Sequence, residues 1–149
     1  NIKQFIDDRF LKLIKKEKSE YNFISIGRNL KNIFDDKFNK HKLDIVLIEN
    51  QIGPLAIKMK TLQGMIAQYF IINSECEIFF VSSSNKLKEF SLKDEELCYK
   101  DRKNKSIEIC EKLIDDEEKL NFFKCSKKKD DLADSYLQGL WYLKNKKLI

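Results

Sequence analysis

A chain of 149 residues, 42% of them hydrophobic, is long enough for one domain with a real core, which excludes wholesale disorder. Its net charge of +5 is carried mainly by lysine and suggests a polyanionic partner, although an AT-rich coding sequence produces the same bias. No apolar run approaches the roughly 18 residues that a membrane span needs, and the charged first turns do not resemble a signal peptide. We expect a soluble, intracellular protein with a single domain over residues 1–149 and no membrane partner.

The cysteines and the histidine do not form a zinc motif. The four cysteines are widely separated and include no Cys-x-x-Cys, and His41 is the single histidine. We therefore expect free, mostly buried thiols in a reducing compartment, and a surface position for His41.

The first 50 residues contain two helical patterns and a strand. Apolar residues recur at helical spacing over residues 2–16 and again over residues 30–38. A run of Ile, Val and Leu that follows Asp44 ends at Glu49 and is typical of a central strand of an α/β sheet.

A second strand and a long helix follow. Gly53-Pro54 breaks the chain, and one broad apolar face over residues 55–73, which includes Met59, predicts a helix. Glu77–Ser82 then predicts a strand. A strand, a helix and a strand in this order predict a right-handed crossover and a parallel pair, so the predicted fold class is α/β.

The remaining residues predict a charged loop and two helices. Residues 82–105 carry many charges and few apolar side chains, which is typical of a solvated loop and compatible with a basic rim around a polyanion. Ser106 is the predicted N-cap of the next helix, whose apolar face includes Cys110. The last helix is predicted to begin near Asp130.

Three carboxylates stand out as candidate metal ligands. Glu49 emerges at the carboxyl end of a strand, where ligands bind in α/β sheets. Asp131 and Asp134 are three residues apart on a helix and project from one face. Mg²⁺ prefers such oxygen ligands, and two metals about 4 Å apart can promote phosphodiester hydrolysis. The alternative is that Glu49 is a solvated charge and that the aspartates only stabilise the helix start.

Four motifs in one order resemble the Holliday junction resolvases of poxviruses and other large DNA viruses, which are RuvC-like. The resemblance covers roughly residues 44–143. Its motifs are Ile48-Glu49-Asn50-Gln51, Met59-Lys60-Thr61-Leu62-Gln63-Gly64-Met65, Ser83-Ser84-Asn85-Lys86 and Lys127-Lys128-Lys129-Asp130-Asp131-Leu132-Ala133-Asp134-Ser135.

The resemblance implies a ribonuclease H-like fold, with a central mixed sheet flanked by helices. It also implies a homodimer that nicks opposing strands of four-way DNA junctions with Mg²⁺, for which we expect Mn²⁺ to substitute. Two symmetric nicks need two sites, and the helix over residues 55–72 has apolar surface for an isologous interface. If the protein is viral, we expect it in the host cytoplasm at sites of viral DNA replication.

Residue by residue, the resemblance assigns Glu49, Asp131 and Asp134 as catalytic metal ligands. Asp130 would also share a face with Asp134, so the choice of Asp131 depends on the Asp-x-x-Asp spacing of the family. A functional lysine that offsets charge at the scissile phosphate matches Lys86, with Lys103 as the alternative. Further basic residues are expected to contact the DNA backbone. They are Lys58, Lys60, Lys88, Arg102 and Lys103.

One family feature has no match in the sequence. The family opens with a strand that carries a catalytic aspartate in an Asp-x-Gly-x-x-Asn pattern, whereas Asp7 and Asp8 lie in a helical pattern without the glycine. We therefore expect the first strands and one metal ligand to be missing from this chain. Two alternatives stay open: another ribonuclease H-like nuclease that acts on RNA–DNA hybrids, and a non-catalytic nucleic-acid-binding module. The contexts of Gln63-Gly64-Met65 and Asn85-Lys86 favour the resolvase.

Overall fold

The computed structural model describes residues 22–53, 56–86 and 98–149, which form two compact units with the boundary between Ser82 and Ser83. The helix predicted over residues 2–16 lies outside the described residues, as do Pro54 and Lys88. The assignment of the whole chain to one domain stays a prediction.

The first unit pairs two helices with a small parallel sheet. Helix α1 is Phe23–Phe38, strand β1 is Ile45–Glu49, helix α2 is Ile57–Asn73 and strand β2 is Glu77–Val81. The two strands pair in parallel, from Ile45 opposite Glu77 to Glu49 opposite Val81, and they are the whole sheet within the described residues. The predicted α/β class, both strands and the parallel pairing are confirmed.

Aromatic packing fixes α1 against α2. Phe34 of α1 lies between Tyr69 and Phe70 of α2, with ring centroids 5.1 and 5.5 Å away. Leu30 and Leu62 complete the buried cluster. The Tyr69 hydroxyl donates a hydrogen bond to Asp35 Oδ1 at 3.0 Å, so the polar end of this buried ring is satisfied. Burial, followed by the hydrogen bond to Asp35, raises the pKa of Tyr69 to about 12.

Helix α2 buries most of the apolar face that the sequence predicts: Leu62, Tyr69 and Phe70 are buried, and Met65 and Ile66 pack half-buried against them. Met59, predicted on that face, is 45% exposed. Ile57, Ile71 and Ile72 are also exposed, whereas Leu62 is buried. The sequence pattern therefore located both the helix and its buried side, and the exposed isoleucines form a second apolar side. No helix among the described residues is both long and apolar enough to cross a membrane.

The second unit is helical. A 3-10 turn at Ser83–Asn85 precedes three helices: α3 at Tyr99–Leu113, α4 at Glu117–Cys125 and α5 at Lys129–Asn145. Helices α3 and α4 and the 3-10 turn all pack against α5. The predicted last helix is confirmed, whereas α4 has no counterpart in the sequence prediction. Asp116 caps α4, because its carboxylate accepts a 2.9 Å hydrogen bond from the Lys119 amide.

The loop predicted over residues 82–105 is wrong over residues 99–105, which are helical, and the N-cap predicted at Ser106 is wrong; residues 87–97 of this prediction lie outside the described residues. Helix α3 begins at Tyr99, so Ser106 is the eighth residue of the helix, fully buried, and its hydroxyl donates to the Arg102 carbonyl at 3.1 Å. Asp101, Arg102 and Asn104 are exposed, which is why the early turns carry no apolar signal.

The core of the second unit gathers around α5. Cys110, Phe123, Leu132 and Ala133 are buried together, which confirms that Cys110 faces inward. All four cysteines are free, but the expectation that most are buried is wrong, because two of them are exposed. Burial, the larger cause, together with the charge of Glu111 raises the pKa of the Cys110 thiol to about 12. The exposed pair are Cys98 and Cys125.

Candidate functional site

The acidic motif occupies the start of α5 and pairs with lysines from elsewhere in the second unit. Lys86, just after the 3-10 turn, places Nζ 2.5 Å from Asp134 Oδ2, and the side chains are 18% and 21% exposed. The other oxygen of this carboxylate, Asp134 Oδ1, is buried and has no hydrogen-bond partner within the described part of the chain. An unsatisfied buried carboxylate oxygen is costly unless a cation or a donor approaches it.

Asp130 is engaged by a different lysine. Lys103 of α3 places Nζ 2.5 Å from Asp130 Oδ2, and the Lys103 and Asp130 side chains are 31% and 20% exposed. The hydrogen bond from Lys103 is the largest cause that lowers the pKa of Asp130, so its carboxylate is charged near neutral pH. The two lysines that the sequence left as alternatives are therefore placed on two different aspartates of α5.

Asp131 is the most exposed of the three aspartates. Its side chain is 32% exposed, and Oδ2 lies 3.7 Å from Lys128 Nζ, a loose pair on the helix surface. Asp131 and Asp134 are three positions apart on α5, so their side chains lie close together on one side of the helix.

The two aspartates fit a hard divalent cation in donor chemistry. Carboxylate oxygens suit Mg²⁺, and the unsatisfied Oδ1 of Asp134 is the kind of atom that a metal ion satisfies. Within residues 22–53, 56–86 and 98–149, no group of three or more His, Cys, Asp or Glu side chains is close enough to hold a metal. The assignment of Asp131 and Asp134 as metal ligands stays a prediction.

Glu49 lies in the first unit, at the end of β1, with an exposed side chain. Two hydrogen bonds fix the backbone that follows it. The Asn50 amide donates to the Val81 carbonyl at 2.8 Å, which extends the sheet by one bond, and the Gln51 amide donates to Gln63 Oε1 at 2.9 Å. Gln63 belongs to α2, so a side chain of that helix holds the segment immediately beyond Glu49.

Gln63 is a positioning residue that sequence reasoning missed. Both Gln51 and Gln63 occur in the family-like motifs, yet the motifs assign no contact between them. A side-chain amide that accepts a hydrogen bond from a backbone 12 residues away depends on the packing of α2 against β1, which spacing alone does not reveal.

The basic residues predicted to contact DNA belong to both units. Lys58 and Lys60 are exposed in the first turn of α2, and Arg102 is exposed on α3. Lys103 is half-buried in its pair with Asp130, and Lys88 lies outside the described residues.

The sequence has recognisable relatives. A family model described as Poxvirus A22 protein matches residues 2–146, nearly the whole chain. The chain belongs to the poxvirus A22 family. This membership confirms the resemblance to the Holliday junction resolvases of large DNA viruses.

A large DNA virus encodes a relative of this A22-family chain. Uncharacterized protein L451 of Acanthamoeba polyphaga mimivirus is 34% identical over 131 aligned residues, which cover 72% of the chain and 32% of the relative. The chain thus spans about a third of that relative. No solved structure matches the chain, so the ribonuclease H-like part of the expected fold stays a prediction.

Proposed function

We propose that this A22-family protein is a metal-dependent endonuclease that resolves four-way DNA junctions. The observation that carries the proposal is the pairing of Lys86 with Asp134, which leaves Asp134 Oδ1 buried and unsatisfied within the family's acidic motif. A structural ion pair satisfies its buried oxygens, whereas a site for a cation leaves one available.

In this proposal Glu49, Asp131 and Asp134 are the metal-binding carboxylates. When it is bound, Mg²⁺, or Mn²⁺ in its place, would polarise a phosphoryl oxygen and activate a water molecule. Asp134 offers its unsatisfied Oδ1. Asp131 offers a carboxylate that is paired loosely with Lys128, at 3.7 Å. Glu49 lies at the end of β1, and hydrogen bonds hold the Asn50 and Gln51 amides that follow it.

Lys86 is the proposed functional lysine. Its ammonium is held beside Asp134, where it can oppose the negative charge that develops on a phosphate during hydrolysis. Lys103 is less suited to this role, because its ammonium neutralises Asp130, which lacks the family's Asp-x-x-Asp spacing to Asp134. We propose that Asp130 and Lys103 instead fix the packing of α3 on the first turn of α5.

The proposed substrate is branched DNA, bound through its backbone. Exposed Lys58, Lys60 and Arg102 offer phosphate contacts, and Lys88 would add another. Such contacts position the protein without reading sequence and weaken steeply with salt. For a viral enzyme of this class, the proposed location is the host cytoplasm at sites of viral DNA replication.

A homodimer is proposed because symmetric resolution needs two sites. Ile57, Ile71 and Ile72 expose an apolar face of α2, and a Cβ atom built at Gly64 meets nothing within 4 Å. A second copy of α2 could bury this face isologously. Ile71→Glu should shift the protein to a monomer in light scattering. Ile24→Glu, an equally exposed isoleucine on α1, is the matched control and should leave the dimer intact.

A cleavage assay with matched aspartate variants tests the chemistry. Asp134→Asn should abolish Mg²⁺-dependent nicking of a labelled junction, whereas Asp130→Asn, on the same helix, should retain nicking. Circular dichroism checks that both variants fold. Equal activity in the two variants would contradict the assigned roles. Cleavage of an RNA–DNA hybrid in preference to the junction would support the ribonuclease H-like alternative. Junction binding with no nicking would support the non-catalytic module or an effect of the family aspartate that has no match in the sequence.

A further inference from the structure

A basic cavity lies in the second unit beside the start of α5. Its volume is about 300 Å³, and its lining combines three lysines, one carboxylate and two neutral polar residues. These residues are Lys103, Asn104, Ser126, Lys127, Lys129 and Asp130, and Ile107 is the one apolar residue of the lining. Lys103 is among the residues expected to contact DNA, whereas Lys127 and Lys129 belong to the fourth motif and have no assigned role.

The charges of the lining do not cancel. Asp130 and Lys103 neutralise each other through their 2.5 Å contact. Lys127 and Lys129 have no ion-pair partner among the described residues, so the lining keeps a surplus of two positive charges. Such a surplus attracts an anion and costs free energy when the anion is absent.

The helix start adds to this positive field. Lys129 is the first residue of α5, and the N-cap residue, Lys128, makes no side-chain capping hydrogen bond. The first backbone amides of a helix lack internal partners, and the helix dipole places partial positive charge at this end. Lys127 and Lys129 therefore lie beside a helix start that favours anions and whose first turn carries the carboxylates of Asp130 and Asp131.

The lining also indicates which part of a nucleic acid would fit. None of the residues that line the cavity is aromatic, so the cavity offers no ring on which a base could stack. Flexible lysine ammonium groups bind phosphate as point charges and carry no base specificity. The chemistry favours a backbone phosphate over a base.

We propose that this cavity binds a backbone phosphate of DNA, contacted by Lys127 and Lys129. The proposal rests on the proposed function, because it assumes that the chain binds DNA. Asp130 of the cavity and Asp134 of the acidic motif are four residues apart on α5, which is about 6 Å of helix rise. The cavity therefore anchors a phosphate close to the one that reacts and fixes the strand beside the carboxylates.

The test measures junction binding separately from cleavage. Fluorescence anisotropy follows a labelled four-way junction with the wild-type chain and with Lys127→Ala/Lys129→Ala, in EDTA, over a series of salt concentrations. The cavity variant should bind about tenfold more weakly, and the slope of log K against log salt should fall by about 1. Lys127→Arg/Lys129→Arg keeps the charges and should bind as the wild type does.

The matched control is Lys112→Ala/Lys124→Ala, which removes the same charge from exposed lysines outside the cavity. Equal weakening and equal slopes in the two alanine pairs would overturn the cavity proposal and leave the proposed function intact. Failure of the wild-type chain to bind any DNA would instead overturn both. A slope change confined to the cavity variant, reversed by arginine, supports the phosphate site.

Discussion

Replacing Lys86 by methionine tests the ion pair that anchors the proposed site. Methionine retains much of the aliphatic length of lysine but removes the ammonium, so Asp134 would keep a charged carboxylate with one unsatisfied buried oxygen and no cation. The expected result is a less stable second unit. The lower stability would come from a carboxylate without its cation and not from a lost apolar contact.

The magnitude follows from the burial of the pair. Exposed ion pairs contribute about 0.2–1 kcal/mol, whereas breaking a fully buried pair costs about 3–5 kcal/mol. With 18% and 21% of the side chains exposed, Lys86 and Asp134 fall between these limits, and we expect a loss of about 2 kcal/mol. For a chain of this size that loss lowers the Tm by roughly 4–8 °C.

A double-mutant cycle isolates the pair. Urea unfolding of the wild type, Lys86→Met, Asp134→Asn and the double variant should give a coupling energy of about 1–2 kcal/mol. Lys105→Met is the control, because its partner Glu108 is 58% exposed, and this change should cost less than about 0.5 kcal/mol. A coupling energy no larger than the effect of Lys105→Met would refute the reasoning.

Three further changes have defined outcomes. Lys103 lowers the pKa of Asp130 in the folded state. The stabilisation from this ion pair is therefore present above the unfolded pKa of about 3.9 and is lost as the pH falls through the lower folded value. Lys103→Met should destabilise the protein more at neutral pH than at about pH 3 in urea titrations. Gln63→Leu removes the acceptor beyond Glu49 and should cost about 1 kcal/mol and slow nicking, whereas Gln63→Glu, which keeps the oxygen, should nick faster than Gln63→Leu. Leu137→Ala, at a fully buried position, should cost about 2–5 kcal/mol by calorimetry.

The elements that sequence predicted correctly have strong local signals. The apolar run of β1 and the long apolar pattern of α2 are confirmed by the structure. The start of α3 was missed because its first turns carry mainly exposed charged side chains. Helix α4 was missed because it has nine residues and only Phe123 buried, too little for a periodic pattern.

In the candidate site, too, local features could be predicted from the sequence and long-range contacts could not. The Asp-x-x-Asp spacing is a local property of the sequence and was predicted. The lysine partners were not, since they lie 48 and 27 residues away from Asp134 and Asp130 and are brought there by tertiary packing. Family membership is shown by nearly full-length similarity, whereas the roles of individual residues stay proposals until they are tested.

Incubation of the chain with a labelled four-way junction and a matched linear duplex, with and without Mg²⁺, tests the central claim most directly. Glu49→Gln and Asp134→Asn are assayed alongside the wild type. The account predicts paired, symmetry-related nicks on the junction alone, dependent on Mg²⁺ and lost in both variants. Nicking that persists in both variants, or that is equal on the linear duplex, would contradict it.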